Sequence, residues 1–352
     1  MADRRPTMED VAARAGVSRA LVSIVFRDAP GAGEQTRARV RAAAAELGYR
    51  PDTRARLLGR SRTRLVGVVF GVRHTFHTDL VESLYTAAEP AGYELALSGT
   101  TPVRDEGTAV EALLAYRCEA LVCLGPNMPT GQLGRLAAAV PTVVVARRVR
   151  AVGVDVVRTD DADGLHQAVA HLVGLGHSRI AHVDGGGAPG AADRRRGYRT
   201  AMRRAGLERR ARVVPGGLTE DDGACAAETL LSGRWLPTAV AAFNDRCAVG
   251  LMHTLRAAGR AVPGAVSVVG FDDDRLAGLP HIDLTTLRQD PDELARLAIS
   301  SVVERLDGSG SGKQGEGSGT GRELVTPPRL VVRGTTALPP TARRSGSPVR
   351  PR

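Results

Sequence analysis

The feature that most constrains the fold is an alternation of short apolar runs with amphipathic stretches, which begins at residue 65. The apolar runs predict strands at Leu65–Val72, Tyr93–Leu97, Ala120–Leu124, Thr142–Ala146, Arg179–Asp184, Val213–Val214, Ala239–Phe243 and Val266–Asp272. The amphipathic stretches predict helices at Asp79–Ala91, Val110–Arg117, Ala162–Leu175, Arg194–Ala205, Asp222–Leu231 and Cys247–Ala258. Because strands that alternate with helices build parallel sheets, the pattern predicts two α/β lobes with a cleft between them.

The first 50 residues carry a different pattern, which predicts three short helices around one small core. Thr7 is a candidate N-cap for the first helix, Gly16 provides the following turn, and Ser18 is a candidate N-cap for the second. The third helix should end at Gly48, with outward-facing side chains at Arg37, Arg39 and Arg41. The spacing is compatible with a helix-turn-helix, but any small helical bundle has tight turns.

The net charge of +10 is concentrated at the two ends of the chain. Residues 1–64 contain fourteen arginines and seven acids, residues 337–352 contain four arginines and no acid, and the segment between them is nearly neutral. A basic head on a neutral body is typical of a nucleic-acid-binding domain joined to a domain with another task. The alternative is a basic surface without a specific partner.

Several classes of protein need residues that this sequence lacks. Lys313 is the single lysine and lies in a Gly/Ser tract, which disfavours P-loop and Schiff-base chemistry. No secretory signal and no apolar run of membrane-spanning length are found, so we expect a cytoplasmic protein that does not cross a membrane. The cysteines lack CxxC spacing, and we expect reduced core residues without disulfide or metal at Cys118, Cys123, Cys225 and Cys247.

Enzyme chemistry has equally little support. A literal G-x-G-x-x-G at Gly185, Gly187 and Gly190 contains Pro189, and no acid for a ribose hydroxyl follows the next strand, so a loop at the edge of the cleft is favoured over a dinucleotide site. His177 and His182 are interpreted as structural residues at strand edges. The aspartate clusters at 160–161, 221–222 and 272–274 lie where carboxylates cap helices or end strands. We therefore predict no cofactor and no catalytic residues.

The motifs of the head, in their order and spacing, resemble the DNA-binding head of the LacI/GalR (lactose/galactose repressor) family. They are Val11-Ala12, Ala15-Gly16-Val17-Ser18, Val22-Ser23, Val25, Thr36-Arg37 and Glu46-Leu47-Gly48-Tyr49-Arg50-Pro51. Motifs of the body also recur in family order, and they are His171-Leu172, Arg194, Phe243-Asn244-Asp245, Gly270-Phe271-Asp272-Asp273, Leu284-Thr285-Thr286, Gln289 and Leu330-Val331-Val332-Arg333. The resemblance implies a two-lobed, periplasmic-binding-protein-like core of parallel-sheet α/β lobes behind the helix-turn-helix head.

The resemblance also divides the chain. It implies a head at 1–48, a hinge or linker at 49–63, and a core for effector binding and dimerisation at 64–336. The chain should cross between the lobes near residues 158, 289 and 322. The Gly/Ser tract at 307–322 is interpreted as a flexible insertion, and residues 337–352 as a disordered basic tail.

In the family the head binds a palindromic DNA operator as a homodimer, and the hinge enters the minor groove. The positions that match DNA contacts are Thr7, Ser18, Arg19, Ala20, Ser23, Ile24 and Arg27 in the head, with Ala55 and Leu58 in the hinge. Leu58 matches a leucine that wedges into a central base step, and Ala55 matches a small residue that lets two hinges approach. The second helix departs from the family, because Leu21 and Ile24 stand where polar residues are usual and Arg27 where asparagine is usual.

The resemblance places a small-molecule effector in the cleft. Arg194, Asn244 and Asp272 match residues that grip sugar hydroxyls, Phe76 and His77 match an aromatic pair that stacks on or covers ligand, and Gln289 lies at a crossover. An acid often found after the fourth strand is missing, because Ala146 starts the segment there. The sequence therefore predicts a transcriptional repressor with a sugar-like effector. The alternatives are a nucleotide-dependent or small-molecule-binding α/β enzyme, and a transport protein, which would need a signal peptide.

Overall fold

A computed structural model of the chain describes residues 6–49, 62–310 and 321–340. The chain divides into two compact units, residues 1–63 and 64–352. The hinge positions Ala55 and Leu58 lie outside the described residues.

The first unit contains the three predicted helices, α1 (Met8–Ala15), α2 (Arg19–Phe26) and α3 (Glu34–Glu46). Thr7 and Asp10 form a reciprocal capping box at α1, and the Ser18 hydroxyl accepts the backbone N–H of Leu21 at 3.2 Å. The core of this unit is small and aliphatic, and its fully buried members include Val11, Val22 and Val40. Local caps and one apolar stripe per helix thus suffice to define this unit.

One prediction about this unit is wrong. Arg37 does not face outward with its neighbours on α3, because its side chain is only 19% exposed and folds over the loop that follows α2. Its guanidinium donates to the backbone oxygens of Ala29 and Ala32 and pairs with Asp28 at 2.7 Å. Arg37 therefore holds the loop between α2 and α3 together.

Lobe one of the second unit is built on a six-stranded parallel sheet of strand order β11-β5-β4-β3-β1-β2. Its strands are β1 (Leu65–Gly71), β2 (Glu94–Thr100), β3 (Ala120–Leu124), β4 (Thr142–Val145), β5 (Val154–Thr159) and β11 (Glu323–Thr326). Its helices are α4 (Thr75–Ala88), α5 (Glu106–Ala115), α6 (Thr130–Ala139) and α11 (Pro291–Gly310). On β1, Val66 is in register with Leu95 of β2 and with Ala120 of β3, and apolar layers cover both faces of the sheet.

Lobe two is built on a four-stranded parallel sheet of order β7-β6-β8-β9, with a separate antiparallel pair β10-β12. Its strands are β6 (Ile180–Val183), β7 (Arg212–Val214), β8 (Ala239–Ala241), β9 (Ser267–Val269), β10 (Thr286–Arg288) and β12 (Arg329–Val331). Its helices are α7 (Asp161–Gly174), α8 (Ala191–Arg204), α9 (Glu220–Ser232) and α10 (Asp245–Ala257). The predicted fold class, a helical head followed by two parallel α/β lobes, is confirmed.

The sequence prediction missed the strands β5, β10 and β11 and the helices α6 and α11. Asp155 and Arg158 interrupt the apolar run of β5, yet both are buried: Asp155 accepts two hydrogen bonds from Arg305, and Arg158 pairs with Glu323 at 2.6 Å. Helix α6 contains two glycines, which weaken its helical signal. Helix α11 has apolar residues at helical spacing, and that signal could have found it.

The chain passes between the lobes after β5, after β10 and after β11. The third passage is at residues 327–328, so the prediction near 322 is wrong. Arg322 still belongs to lobe one, where its backbone N–H donates to Asp155 at 2.8 Å. The predicted insertion at 307–322 is also too long, because α11 continues to Gly310, while residues 311–320 lie outside the described residues.

The predicted tail begins too early. The backbone N–H of Ala337 donates to the Ser267 hydroxyl at 3.1 Å, and its carbonyl lies 2.9 Å from His177 Nε2. Residue 337 is therefore held against lobe two, and residues 341–352 lie outside the described residues. The prediction that His182 lies at a strand edge is wrong. This residue is fully buried within β6, which lies between β7 and β8.

The four cysteines are free thiols. Cys118, Cys123 and Cys247 are buried as predicted, and burial raises the pKa of Cys123 and of Cys247 to about 12. Cys225 is exposed on α9, so its assignment to the core is wrong. Within the described part of the chain, no helix is long and apolar enough to cross a membrane.

Candidate functional site

The surface of α2 carries most of the head positions assigned to DNA. Arg19 and Ala20 are exposed at its start, Ser23 and Ile24 are half-buried, and Arg27 is exposed just beyond its end. The Arg19 side chain is 69% exposed, and its nearest acid is Glu9 at 4.0 Å. Its guanidinium is therefore available to a partner.

Three of the assigned DNA contacts have structural roles within the head. The hydroxyls of Thr7 and Ser18 cap α1 and α2. Ile24 packs beside Gly31, where a β-carbon would lie 3.8 Å from its Cδ1. Capping leaves the hydroxyl oxygens only part of their hydrogen-bonding capacity.

The six residues assigned to the effector line a single cavity between the lobes. Phe76 and His77 come from α4 in lobe one, the second group comes from lobe two, and Gln289 lies where the chain crosses. The second group comprises Arg194, Asn244 and Asp272. The cavity has a volume of only about 40 Å³, far below the roughly 300–1,000 Å³ of typical small-molecule sites.

Arg194 is the centre of the lobe-two side of the cavity. It lies one turn into α8, with its guanidinium carbon 3.5 Å from the centre of the Phe271 ring and 4.6 Å from that of Phe243. Its Nε donates to Asp161 at 2.8 Å, and its Nη1 donates to the Phe243 carbonyl at 2.5 Å. The guanidinium is thus fixed between two aromatic rings and a buried carboxylate.

Asp272 lies beside this arginine, three residues after the end of β9. Its φ of 116° is unusual for a residue with a side chain, and its carboxylate accepts Gln289 Nε2 at 2.8 Å. Its distance to Arg194 Nη2 is 3.7 Å. Burial raises the pKa of Asp272 to about 7, although Arg194 and the Gln289 hydrogen bond oppose the shift.

Asn244 uses both ends of its amide within the fold. Its Oδ1 accepts the backbone N–H of Cys247 at 2.9 Å and so caps α10, while its Nδ2 donates to the Leu218 carbonyl at 3.1 Å. The sequence assigns this residue to the effector alone. The structure gives it a second task, the placement of the start of α10 at the cavity wall.

Sequence reasoning missed two residues that contact the assigned ones. Asp161 was interpreted as a helix cap, but its carboxylate is buried against Arg194, whereas its neighbour Asp160 caps α7 through the Asp163 N–H. His74 lines the cavity next to His77. His74 lies just before α4 and three positions before His77, and this spacing was the available signal for it, whereas nothing local pairs Asp161 with a residue 33 positions later.

Two loops complete the walls. Ala146, at the position where the family often has an acid, lines the cavity with a φ of 60°, while Arg147 turns away to donate to the carbonyls of Pro126 and Met128. Pro189 of the glycine-rich loop also lines the cavity. Within the described residues, no group of three or more His, Cys, Asp or Glu side chains is arranged to hold a metal ion.

The raised pKa of Asp272 has a measurable consequence. Between pH 4 and 7 the folded protein holds a proton on Asp272 that the unfolded chain has released, so this residue's contribution to stability falls as pH rises. We expect the stability of the wild type relative to Asp272→Asn to decrease by at least about 1.4 kcal/mol over this range. This is the free energy that corresponds to a pKa shift of one unit. Urea unfolding at a series of pH values measures it, and a constant difference would show that Asp272 titrates normally.

Two family models match the chain. The model described as "Bacterial regulatory proteins, lacI family" matches residues 7–52, and that described as "Periplasmic binding protein-like domain" matches residues 169–336. The transcriptional regulator GalR of Salmonella typhimurium LT2 is 36% identical over 80% of this chain and 84% of its own. The ribose operon repressor of Escherichia coli K12 is 33% identical over 85% of this chain and 93% of its own.

Solved structures agree with these relatives. A LacI transcriptional regulator from a Rhodococcus species has a TM-score of 0.74 and 47% identity, covering 78% of this chain and all but 2% of its own. The lac repressor dimer bound to operator and the anti-inducer ONPF has a TM-score of 0.77 and 28% identity, covering 95% of this chain and 100% of its own. With the helix-turn-helix head and the two-lobed cleft, these similarities show that the chain belongs to the LacI/GalR family of bacterial transcriptional regulators.

Proposed function

We propose that the protein is a cytoplasmic repressor that binds a palindromic operator as a homodimer and changes its operator affinity when a sugar-like effector enters the cleft. The observation that supports this proposal most directly is the combination, in one chain, of an exposed Arg19 on α2 with a cleft where a guanidinium, an amide and a carboxyl group converge. Such groups grip vicinal hydroxyls by paired hydrogen bonds. Solved relatives include a lac repressor dimer on operator and a CelR complex with cellobiose.

The closed geometry of the cleft suggests how occupancy is transmitted. Polar contacts that join the lobes include Arg246 to the Arg73 carbonyl at 2.7 Å, Thr75 to Asp274 at 2.9 Å, and Arg275 to Glu82 at 2.8 Å. A ligand larger than the 40 Å³ cavity must change the spacing of the lobes. An effector therefore selects one lobe arrangement over another, which is how it biases the dimer on DNA.

The departure of α2 from its family leads to a specific assignment for DNA. Arg19 is the only long donor among the groove-facing residues, so it is proposed to bind guanine O6 and N7 with two hydrogen bonds. Ala20 and Ile24 offer apolar contact, for example to a thymine methyl group, and Ser23 offers a hydroxyl. Arg27 donates through its Nε to the Ser23 carbonyl at 3.2 Å, and we assign its guanidinium to a phosphate.

We expect Arg19→Ala to cost about 1–3 kcal/mol in operator binding and to relax base preference at one position per half-site. Arg27→Ala is the matched control, because loss of a phosphate contact weakens all sequences alike and lowers the salt slope by about one. Binding selections on randomised half-sites with both variants measure this. An unchanged base preference in Arg19→Ala would mean that α2 docks differently.

The function itself is tested with the full chain. Selection from random DNA should return a palindrome, sedimentation should give a dimer on it, and affinity should fall steeply with salt. Addition of neutral sugars in a gel shift then tests the effector response. A preference for non-palindromic DNA, or binding that survives removal of residues 1–62, would refute the assignment of the head; the roles of Ala55 and Leu58 stay predictions for the same assay.

A further inference from the structure

The two lobes bring very different chemistry to the cavity. Lobe two supplies the charged and amide side chains described above. Lobe one supplies His74, Phe76, His77, Gly125 and Ala146. Among the described residues of the lobe-one wall, only the two imidazoles carry side-chain atoms that can form directed hydrogen bonds. Within this cavity, a polar side-chain contact between effector and lobe one therefore uses a histidine.

The tautomer of His77 follows from a backbone contact. The Gly71 N–H donates to His77 Nδ1 at 3.0 Å, so Nδ1 must carry a lone pair. Burial, and then the neighbouring His74, lower the pKa of His77 to about 3, so the ring is neutral near pH 7. A neutral ring with its lone pair on Nδ1 carries its hydrogen on Nε2. His77 is therefore a fixed hydrogen-bond donor at Nε2.

That donor has no partner within the described part of the chain, although the residue is only 6% exposed. The space beside it exists because residue 125 is glycine: a β-carbon there would lie 3.1 Å from His77 Nε2 and 3.4 Å from Cγ of Pro189 in lobe two. The Nε2–H therefore borders the narrow gap between the lobes. Nε2 of His77 is not among the fully buried unpaired atoms of the described residues, so it keeps some exposure and is open to an acceptor on a ligand.

The ring face of His77 is not equally free. His74 stacks on it with ring centres 4.5 Å apart and an interplanar angle of 18°. One face is thus already covered by the protein, which argues against the stacking role that the family pattern implies for His77. The edge of the His77 ring, and not this face, is therefore what the ring presents to the cavity.

We propose that His77 is a specificity residue of the effector site: its Nε2–H donates to an uncharged oxygen acceptor, a hydroxyl, ring or carbonyl oxygen, on an effector whose other end is held by Arg194 and Asp272. The proposal rests on the effector function proposed above and names the ligand class for that site. An effector bound in this way contacts both lobes at once. His77 then links occupancy to the spacing of the lobes.

The charge balance of the cavity supports an uncharged ligand. The Arg194 guanidinium is shared between the carboxyl groups of Asp161 and Asp272, at 2.8 Å and 3.7 Å. Burial also lowers the pKa of His74, and the nearby Arg246 acts in the same direction. A phosphate or carboxylate would therefore meet no uncompensated positive charge here, and burying an unpaired anion is strongly unfavourable.

The test uses the full chain and five probes: D-galactose, D-ribose, cellobiose, D-galacturonate and D-ribose 5-phosphate. We expect calorimetry at pH 7 to detect a neutral sugar and no binding of the two anions. His77→Phe, which keeps a ring but removes the donor, should weaken the neutral sugar at least tenfold, and His77→Gln, which restores a donor, should recover part of the loss.

A deoxy series and a spectrum complete the test. Where the acceptor is a hydroxyl, the monodeoxy derivative that lacks it should bind wild type and His77→Phe equally. In the ligand-free protein, ¹⁵N NMR should show hydrogen on Nε2 of His77 and no titration between pH 5 and 8. Hydrogen on Nδ1, equal sugar affinity in wild type and His77→Phe, or preference for an anionic probe would each overturn the proposal. If no neutral sugar binds, the proposed effector response fails, and the NMR tautomer alone still decides whether His77 is the donor.

Discussion

Replacement of Arg194 by alanine is expected to lower the free energy of unfolding by about 3–5 kcal/mol, because it breaks a buried ion pair and leaves one charge behind. The Arg194 and Asp161 side chains are each 6% exposed and meet at 2.8 Å. Without the guanidinium, the carboxyl group of Asp161 must be buried uncompensated or take up a proton. The substitution also removes the packing of the guanidinium on Phe271.

Urea unfolding of the full chain, followed by circular dichroism, measures this loss. The matched control is the double variant Asp161→Asn, Arg194→Gln, which removes both charges and should recover part of the stability. If Arg194→Ala were as stable as the wild type and lost only its sugar response, the residue would serve the ligand alone, as the family pattern implies. Because both roles fall on one side chain, Asp272→Asn and His77→Phe are better probes of effector binding than Arg194→Ala.

Gly250→Ala is expected to destabilise lobe two by about 3 kcal/mol, at the upper end of the usual range for overpacking. A β-carbon on Gly250 of α10 would lie 1.9 Å from the Glu220 carbonyl oxygen, and one on Gly223 of α9 would lie 2.0 Å from the Cys247 carbonyl oxygen. The obstacle is backbone in both cases, so no side-chain rotation relieves it. The two helices would have to separate along their contact.

Gly174→Ala is the matched control, because it also adds one methyl group to a helix of lobe two. Nothing lies within 4 Å of a β-carbon at Gly174, so the change should alter stability by less than about 1 kcal/mol, in the stabilising direction. Thermal and urea unfolding of both variants give the comparison. Equal stability of the two variants would mean that α9 and α10 can move apart without loss. The position of Asn244, which begins α10 at the cavity, would then be less rigid than the packing indicates.

The helical head is the part that local sequence determined most fully. Its helices depend on the hydroxyls of Thr7 and Ser18, on Gly16 with its φ of 63°, and on one apolar stripe per helix. All of these act within a few residues of their own position, so they can be recognised from the sequence. Arg37 was misplaced because its partners belong to the loop after α2, which no helical period describes.

In the core, apolar runs determined which segments become strands, but not which polar residues the strands bury. Strand β5 was missed because Asp155 and Arg158 break its apolar run, and their partners are Arg305 and Glu323, more than 140 residues away. The third lobe passage was misplaced for a related reason, since the pairing of β11 with β5 decides where lobe one ends. Such long-range pairs leave no local periodicity.

The sequence by itself determined the family, the two-lobed architecture, and six of the residues that line the cleft, because each is carried by a motif of fixed local spacing. The tertiary structure decided what those residues do. It paired Arg194 with Asp161, used Asn244 as a helix cap, and covered one face of His77 with His74 while its Nδ1 met the Gly71 N–H. The physical reason is that a side chain can bind a ligand only through atoms that its neighbours leave unpaired, and tertiary packing determines those neighbours.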